Sequence, residues 1–224
     1  MIANEVRTYP DRQGKRFYRR RLPHWEVGGA TYFVTYRLAG SLPVEVVADL
    51  RDRFAGHLNL ARQIVDPLRR KAEELAAEEE LYDLMDRYLG EGHGPTYLAD
   101  PRVASLVAEN LLFHAGQRYD LHQWVIMPNH VHLVLTPSAR SDGQTWSLRQ
   151  IVHGLKSYTA HSAKHIVSCR SFWQHEYFDR LIRDEADFMA RAHYVENNPV
   201  VAELCRRPSD WRWSSAYSGD PLAE

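Results

Sequence analysis

The sequence is poor in cysteine. Its two cysteines, Cys169 and Cys205, lie far apart and do not form a close pair of the CxxC kind. Disulfides persist mainly in oxidising compartments, where small proteins that depend on them carry closely spaced cysteines. The composition therefore predicts two free thiols in a reducing cytoplasm.

The sequence also has no long hydrophobic run. No apolar stretch approaches the roughly 20 residues that a membrane-spanning helix needs, and residues 1–7 lack the apolar core of a secretory signal. We therefore expect no membrane segment. The 224 residues are 44% hydrophobic and 25% charged, which suits one domain of ordinary size with an elaboration, or two small ones.

The chain has little net charge, but its formal charge of −1 hides two segments of opposite sign. Residues 12–21 contain six arginines and lysines, and residues 73–86 contain seven acidic residues. We interpret residues 1–23 as a basic N-terminal arm that a polyanion would contact, while it would avoid the acidic segment. The alternative is that both segments are simply solvated surface.

Hydrophobic periodicity and turn residues divide the rest of the chain into strands and helices. The sequence predicts strands over 30–38, 119–127, 130–135 and the end of 172–182, and helices within 43–89, over 100–116, over 148–166 and over 184–198. We expect the last helix to end or kink at Asn197-Asn198-Pro199, because a proline disfavours helix at the preceding residue. This order predicts an α+β fold in which helices pack on one face of an antiparallel sheet.

Two histidines on one strand are the first candidate site. Side chains alternate faces along a strand, so His130 and His132 project to the same side. Val131, Leu133 and Leu135 then point to the opposite side, into the core. Two neighbouring imidazoles on a rigid strand can form half of a metal site. Strand histidines often only form hydrogen bonds, and the spacing alone leaves both interpretations open.

A helix near the C-terminus carries the groups that could complete such a site. Tyr194 and Asn198 lie four residues apart, so they share one side of that helix. The Asn198 amide offers an oxygen ligand to a divalent ion. The Tyr194 phenolate would attack phosphorus if a metal neutralised the phosphate. Taken alone, Tyr194 fits a half-buried structural tyrosine better than a nucleophile.

Two motifs together carry a specific resemblance. Met127-Pro128-Asn129-His130-Val131-His132 and Tyr194-Val195-Glu196-Asn197-Asn198-Pro199-Val200 resemble the REP-associated tyrosine transposases of the HUH endonuclease class. Further matching stretches are Leu22–Trp25, Tyr32–Thr35, Phe172–Gln174, Tyr177–Asp179 and Asp210–Ser215. The poorest match is the charged helical stretch of about 44–92, which we interpret as an insertion into a catalytic domain of residues 24–224.

The resemblance implies a ferredoxin-like fold and a metal-dependent endonuclease and strand transferase that acts on single-stranded DNA at hairpins. It implies that His130, His132 and Asn198 bind Mg²⁺ or Mn²⁺, and that Tyr194 is the nucleophile. The product would be a 5′-phosphotyrosine link and a free 3′-OH. Tyr158, also on a helix after the histidines, is the second choice of nucleophile. The resemblance further implies a cytoplasmic, nucleoid-associated monomer, with a dimer as the alternative.

Several basic and aromatic residues are candidate DNA contacts. Arginine and lysine would hold phosphates, and an aromatic ring could stack on an unpaired base. The candidates are Arg16, Arg19, Arg20, Arg21, Lys156, Trp173, Arg180 and Arg183. Two other functions remain open at this point: a hairpin-DNA-binding regulatory protein without catalysis, and an unrelated metallohydrolase that would need a further acidic ligand.

Overall fold

The computed structural model describes residues 16–19, 23–27 and 29–223. The chain divides into two compact units, one of residues 39–96 and one of the remaining residues. The strands are β1 Arg16–Arg19, β2 Pro23–Glu26, β3 Tyr32–Arg37, β4 Tyr119–Ile126, β5 His130–Pro137 and β6 Phe178–Leu181. The α-helices are α1 Val44–Arg62, α2 Pro67–Gly90, α3 Pro101–His114, α4 Leu148–Ala163 and α5 Glu185–Val201.

A four-stranded sheet forms the centre of the larger unit. Its strand order is β4-β5-β3-β6, and each neighbouring pair is antiparallel. Numbered in chain order within the sheet, this order is 2-3-1-4, and helices precede the second and fourth strands. Such a βαββαβ arrangement is ferredoxin-like. The predicted α+β class with an antiparallel sheet is confirmed.

The hydrophobic core lies on one face of this sheet. Val131, Leu133 and Leu135 of β5 are fully buried there, as predicted, and they belong to one cluster with apolar residues of α3 and α4. Helix α5 lies against the other face, where its aromatic residues Phe188 and Tyr194 meet rings of the sheet. The expected packing of helices on one face therefore holds for α3 and α4, whereas α5 covers the histidine face.

Side-chain caps fix the starts of three helices in this unit. The carboxylates of Asp100 and Asp184 accept backbone N–H bonds at the starts of α3 and α5, and Ser147 with Gln150 forms a capping box on α4. Such caps satisfy N–H groups that the first helical turn leaves without partners. Of the two expected outcomes at Pro199, a helix end or a kink, the end is wrong, because α5 continues to Val201. Pro199 lies in the last turn, where its missing N–H costs a single helical bond.

The N-terminal segment contains a structure that the sequence did not predict. Strands β1 and β2 pair antiparallel, with Arg16 opposite Glu26 and Arg19 opposite Pro23. Part of the predicted arm therefore has regular backbone hydrogen bonding. Arg20 and Arg21 lie outside the described residues. None of the described helices combines the length and the apolar character that crossing a bilayer requires.

The smaller unit, residues 39–96, contains both predicted helices of the charged stretch. Asp66 caps α2 by accepting the N–H of Arg69 at 2.7 Å. Buried apolar residues of α1, such as Leu50 and Phe54, line the same small cavity as Leu81 of α2. The stretch is thus a helical hairpin with its own apolar contacts, and its role as an insertion into a catalytic domain stays a prediction.

Candidate metal and nucleophile site

The histidine pair lies on β5, on the sheet face opposite the core. The rings of His130 and His132 are 4.5 Å apart between centroids and are inclined at 74°. Both side chains are almost fully buried, at 2% and 0% exposure. In the neighbouring strand, Arg37 lies opposite His130 and Thr35 lies opposite His132. The predicted placement of both imidazoles on one face is confirmed.

His130 is held through one ring nitrogen. Its Nδ1 lies 2.6 Å from the amide oxygen of Asn129, a group that only accepts, so Nδ1 carries the proton and donates. Its Nε2 is buried and has no hydrogen-bond partner among the described residues. Burial lowers the pKa of His130 to about 3. The ring is therefore neutral near pH 7, and its Nε2 presents a lone pair, which is the form that binds a metal.

His132 is held in the same manner by the neighbouring strand. Its Nδ1 lies 2.7 Å from the hydroxyl of Thr35, which is fully buried. Burial, with the neighbouring His130 as a second cause, lowers the pKa of His132 well below its usual value. If the Thr35 hydroxyl accepts from Nδ1, the lone pair lies on Nε2. A hydrogen bond to the second ring nitrogen is the usual way in which proteins orient a metal-binding histidine.

Tyr194 comes from α5 and lies directly beside the histidine pair. Its ring meets the ring of His132 edge-on, with centroids 5.6 Å apart. The ring of Phe33 also contacts Tyr194 edge-on at 5.9 Å and stacks on His132 at 5.4 Å. Phe33 therefore packs against both rings and fixes the phenol relative to the imidazole. Tyr194 itself is half-buried, so its ring remains partly accessible.

Asn198 lies one turn after Tyr194 on α5 and is half-buried. Among the residues that the structure describes, no hydrogen bond joins its side chain to either histidine. Its helical position agrees with the predicted common side of Tyr194 and Asn198. Its role as a metal ligand stays a prediction.

The rival nucleophile, Tyr158, lies elsewhere. It belongs to α4, and its side chain is 55% exposed. The buried face of α4 packs with Val131 and Leu133, whose side chains point away from the histidines. The sheet therefore separates α4 from the histidine face. The structure brings Tyr194, and not Tyr158, to His132.

A buried charge cluster anchors α5 to the sheet. Asp187 binds Arg180 of β6 at 3.2 Å, and the two side chains are only 4% and 3% exposed. Asp187 also accepts two bonds from Arg183, through its backbone N–H and its Nε, both at 3.1 Å. Burial raises the pKa of Asp187, but Arg180 and Arg183 outweigh it, so that the pKa is lowered. Asp187 precedes Tyr194 by about two helical turns.

These contacts bear on the predicted DNA contacts Arg180 and Arg183. Arg180 is buried and Arg183 is partly exposed, yet both donate to Asp187. Both arginines therefore hold α5, and their predicted contacts with phosphates stay predictions. Sequence reasoning did not assign a role to Asp187, although two arginines lie within seven residues before it.

Lys156 and Trp173 are also engaged inside the protein. The Lys156 ammonium donates to the carbonyls of Gln174 and His175 at 2.6 and 2.8 Å, and burial lowers its pKa to about 8. Trp173 is 6% exposed, and its Nε1 donates to the hydroxyl of Thr159 at 2.8 Å. Both side chains tie the segment before β6 to α4, and their predicted contacts with DNA stay predictions. The side chains of Arg16 and Arg19 lie outside the described part.

Sequence reasoning missed the residues that surround the histidines. The alternation along β3 places Phe33, Thr35 and Arg37 on one face, but nothing in the sequence indicated that β3 pairs with the histidine strand in this register. Arg37 is 3% exposed, and burial lowers its pKa to about 10, so it still carries a positive charge beside His130. Asn129 was visible in the sequence as the neighbour of His130, without a role.

Known proteins are similar to this chain in the region that contains the residues of the site. Residues 109–198 match the sequence model of the family described as "Transposase IS200 like". A REP-associated tyrosine transposase of Escherichia coli K12 is 26% identical over 99 residues, which are 44% of this chain and 55% of that protein. An uncharacterised protein of Haemophilus influenzae Rd is 26% identical over 113 residues, covering 42% of this chain and 62% of that protein.

The chain thus spans little more than half of the length of these curated relatives. A solved structure of a REP-associated tyrosine transposase bound to a REP hairpin aligns with a TM-score of 0.51, covering 92% of this chain and 93% of that one. Its sequence identity is 16%, so this likeness establishes the fold alone. Residues 109–198, which contain both histidines, Tyr194 and Asn198, are therefore similar to the IS200-like transposases, and the resemblance expected from the sequence is confirmed.

Proposed function

We propose that this protein is a metal-dependent single-strand DNA endonuclease and strand transferase that acts at REP-like hairpin DNA through a 5′-phosphotyrosine intermediate. The observation that carries the proposal is the edge-on contact between Tyr194 and His132. Through this contact a possible nucleophile lies beside two neutral, buried imidazoles on one face of the sheet. The likeness of residues 109–198 to a transposase family supports the same reaction class.

The chain has groups that fit a divalent metal. The Nε2 atom of His130 is buried without a hydrogen-bond partner among the described residues, and a metal ion would provide one. His130, His132 and the amide oxygen of Asn198 would hold Mg²⁺ or Mn²⁺. Imidazole ligands suit Mn²⁺ better than Mg²⁺, whereas the amide oxygen suits both. When bound, the ion would neutralise the scissile phosphate and stabilise the departing 3′-oxygen.

In the reaction, the phenol oxygen of Tyr194 attacks the phosphorus of a single-stranded phosphodiester. The phenol proton passes to solvent, a bond forms between the tyrosine oxygen and phosphorus, and the bond from phosphorus to the 3′-oxygen breaks. The 3′-oxygen takes up a proton and leaves as a 3′-OH. One phosphodiester replaces another, so a second 3′-OH can reverse the step and join strands without an external energy source.

The surrounding residues position these groups. Asn129 and Thr35 fix the orientation of the His130 and His132 rings through Nδ1. The bond between Asp187 and Arg180 fixes α5 across the sheet, and it thereby sets where Tyr194 lies. Partial exposure of Tyr194 leaves room for a DNA strand to reach the phenol. We propose hairpin DNA as the partner and a monomer at the bacterial nucleoid as the working form.

Denaturing electrophoresis tests the proposal. The protein is incubated with Mn²⁺ and a 5′- or 3′-labelled hairpin oligonucleotide that carries a single-stranded flank. We expect an adduct that survives denaturation and carries the 3′ label, because the tyrosine retains the fragment on the 3′ side of the break through its 5′-phosphate. Tyr194→Phe and EDTA should each abolish the adduct, whereas Tyr158→Phe should retain it.

Two outcomes would overturn the proposal. An adduct that persists in Tyr194→Phe but is lost in Tyr158→Phe would assign the nucleophile to α4. Hairpin binding without any adduct, in the wild-type protein with Mn²⁺, would leave a DNA-binding protein that lacks catalysis.

A further inference from the structure

A cluster of one tryptophan and two arginines lies far from the histidines. The guanidinium carbons of Arg118 and Arg140 each lie 4.9 Å from the ring centroid of Trp146. All three side chains are half-buried. We call these three residues the Trp146 cluster. Such cation–π contacts occur within about 6 Å of a ring centroid and favour arginine and tryptophan.

The backbone around the Trp146 cluster is closely hydrogen-bonded. Residues 138–146 turn back on themselves between β5 and α4, with the Trp146 N–H donating to the Ser138 carbonyl at 3.1 Å. Ser138 in turn donates to the carbonyl of Arg118 at 2.9 Å. Gly143 takes a φ of +78° in this turn, a conformation that side chains rarely tolerate. The turn therefore holds Trp146 and Arg140 beside Arg118 through backbone bonds rather than through chance side-chain contacts.

The two arginines differ in whether a carboxylate neutralises their charge. Arg140 pairs with Asp142 at 3.2 Å, and both side chains are about a third or more exposed, so this pair is weak and can open. Arg118 has no carboxylate partner within the described part of the chain. A glycine at position 154 of α4 leaves space for it, because a Cβ atom there would lie 3.2 Å from Nη1 of Arg118. The guanidinium is thus packed in place against Trp146, and no carboxylate of the described residues neutralises its charge.

We propose that the Trp146 cluster binds single-stranded DNA at a point separate from the reacting atoms. Arg118 would hold a phosphate, and Trp146 would stack on an unpaired base once Arg140 moves aside. Arginine beside an aromatic ring is the combination that proteins use for single strands, because every base has a stacking face. The proposal rests on the proposed function in taking DNA as the partner.

The location of the Trp146 cluster suits this role. It lies where β4 begins and β5 ends, whereas the histidines lie at the start of β5. His132 and Pro137 are five residues apart on that strand, which corresponds to roughly 17 Å. DNA bound there would be held without contact with the groups that react at Tyr194. The cluster would therefore contribute to affinity and not to the chemical step.

Fluorescence anisotropy of a labelled, mixed-sequence single strand, with the full chain in EDTA, tests the proposal without requiring cleavage. We expect Arg118→Gln to raise the Kd about tenfold, as for loss of a hydrogen bond to a charged group. It should also reduce the slope of log Kd against log salt by about 0.7, the value of one phosphate contact on a single strand. Arg102→Gln removes the same charge at the start of α3, whereas Arg118 follows the end of that helix. This control should change neither the Kd nor the salt slope.

Three further variants separate the contribution of the tryptophan ring from that of the arginine charge, and the two conservative variants among them control for misfolding. Trp146→Leu should raise the Kd about tenfold with an unchanged salt slope, Trp146→Phe should restore binding, and Arg118→Lys should keep the slope. Arg118→Gln behaving like Arg102→Gln would overturn the proposal, as would equal competition by polyglutamate of the same charge. This binding assay measures no covalent adduct, so failure of the proposal for the Trp146 cluster would leave the role of Tyr194 untouched. Conversely, loss of the adduct in Tyr194→Phe would not support DNA binding by the Trp146 cluster.

Discussion

The ring of Tyr194 meets the ring of His132 edge-on, with the centroids 5.6 Å apart. The two residues come from different elements, a strand in the middle of the sheet and a helix that lies against its face. Their contact depends on how α5 docks, because nothing in the local structure of either element creates it. The docking contacts should therefore control activity as strongly as the reacting groups do.

The buried pair of Asp187 and Arg180 gives the sharpest test of that dependence. We expect Asp187→Ala to lower the free energy of unfolding by about 3 kcal/mol, because it leaves a buried arginine charge without its carboxylate. The rate of adduct formation should fall even at temperatures where the variant is fully folded. Urea unfolding and single-turnover cleavage measure the two effects.

Asp210→Ala is the matched control for that substitution. Asp210 also pairs with an arginine, Arg207, at 2.8 Å, but this pair lies at the surface and should contribute little. If Asp187→Ala is no more harmful than Asp210→Ala, the docking of α5 does not depend on the buried pair.

The same carboxylate predicts a pH dependence of stability. The arginines hold the pKa of Asp187 in the folded protein below its usual value, so the unfolded chain binds the proton more readily. The stabilisation is therefore present at neutral pH and is lost as the pH falls below about 3.9, the ordinary aspartate pKa. We expect Asp187→Asn to flatten this part of the curve of unfolding free energy against pH. A curve of unchanged steepness below pH 4 would contradict this account of Asp187.

Thr35 should matter for metal affinity through His132. Its hydroxyl lies 2.7 Å from Nδ1 of that histidine, and loss of such a partner typically weakens metal binding by about 10- to 100-fold. We expect Thr35→Val to raise the Kd for Mn²⁺ to this extent in isothermal titration calorimetry. Thr31→Val is the control, because Thr31, directly before β3, continues the same side-chain alternation but bonds Thr136 instead. Equal loss of Mn²⁺ affinity in both variants would show a general effect on the sheet and not an orienting bond.

Much of the fold was predictable because it depends on local pattern. Period-two alternation identified the strand of His130 and His132 and the faces of its side chains, and the predicted helix over 184–198 begins within one residue of α5. The hairpin of β1 and β2 was missed, since the basic residues there hide any apolar alternation. The pairing of β3 with β5 could not be read from the chain, because register between distant strands is set by the whole sheet.

The candidate site divides in the same way. Its reactive groups belong to two short motifs, and their residue types, histidine and tyrosine, indicate metal binding and nucleophilic attack. The supporting groups are Thr35, Phe33 and Asp187, which have roles only through contacts between elements. Charge and aromatic character suggested Trp173 and Arg180 as DNA contacts, but neither property could show that these side chains are buried.

The identity of the residue that becomes linked to DNA is the most direct test of the whole account. The adduct formed by the wild-type protein on labelled hairpin DNA with Mn²⁺ is digested with a protease and a nuclease, and the modified peptide is sequenced by mass spectrometry. We predict a single nucleotide-bearing residue, Tyr194, linked through a 5′-phosphate. A nucleotide on Tyr158 or on any other residue would contradict the central claim that the tyrosine beside His132 is the nucleophile, and a linkage through a 3′-phosphate would contradict the proposed polarity of the cleavage.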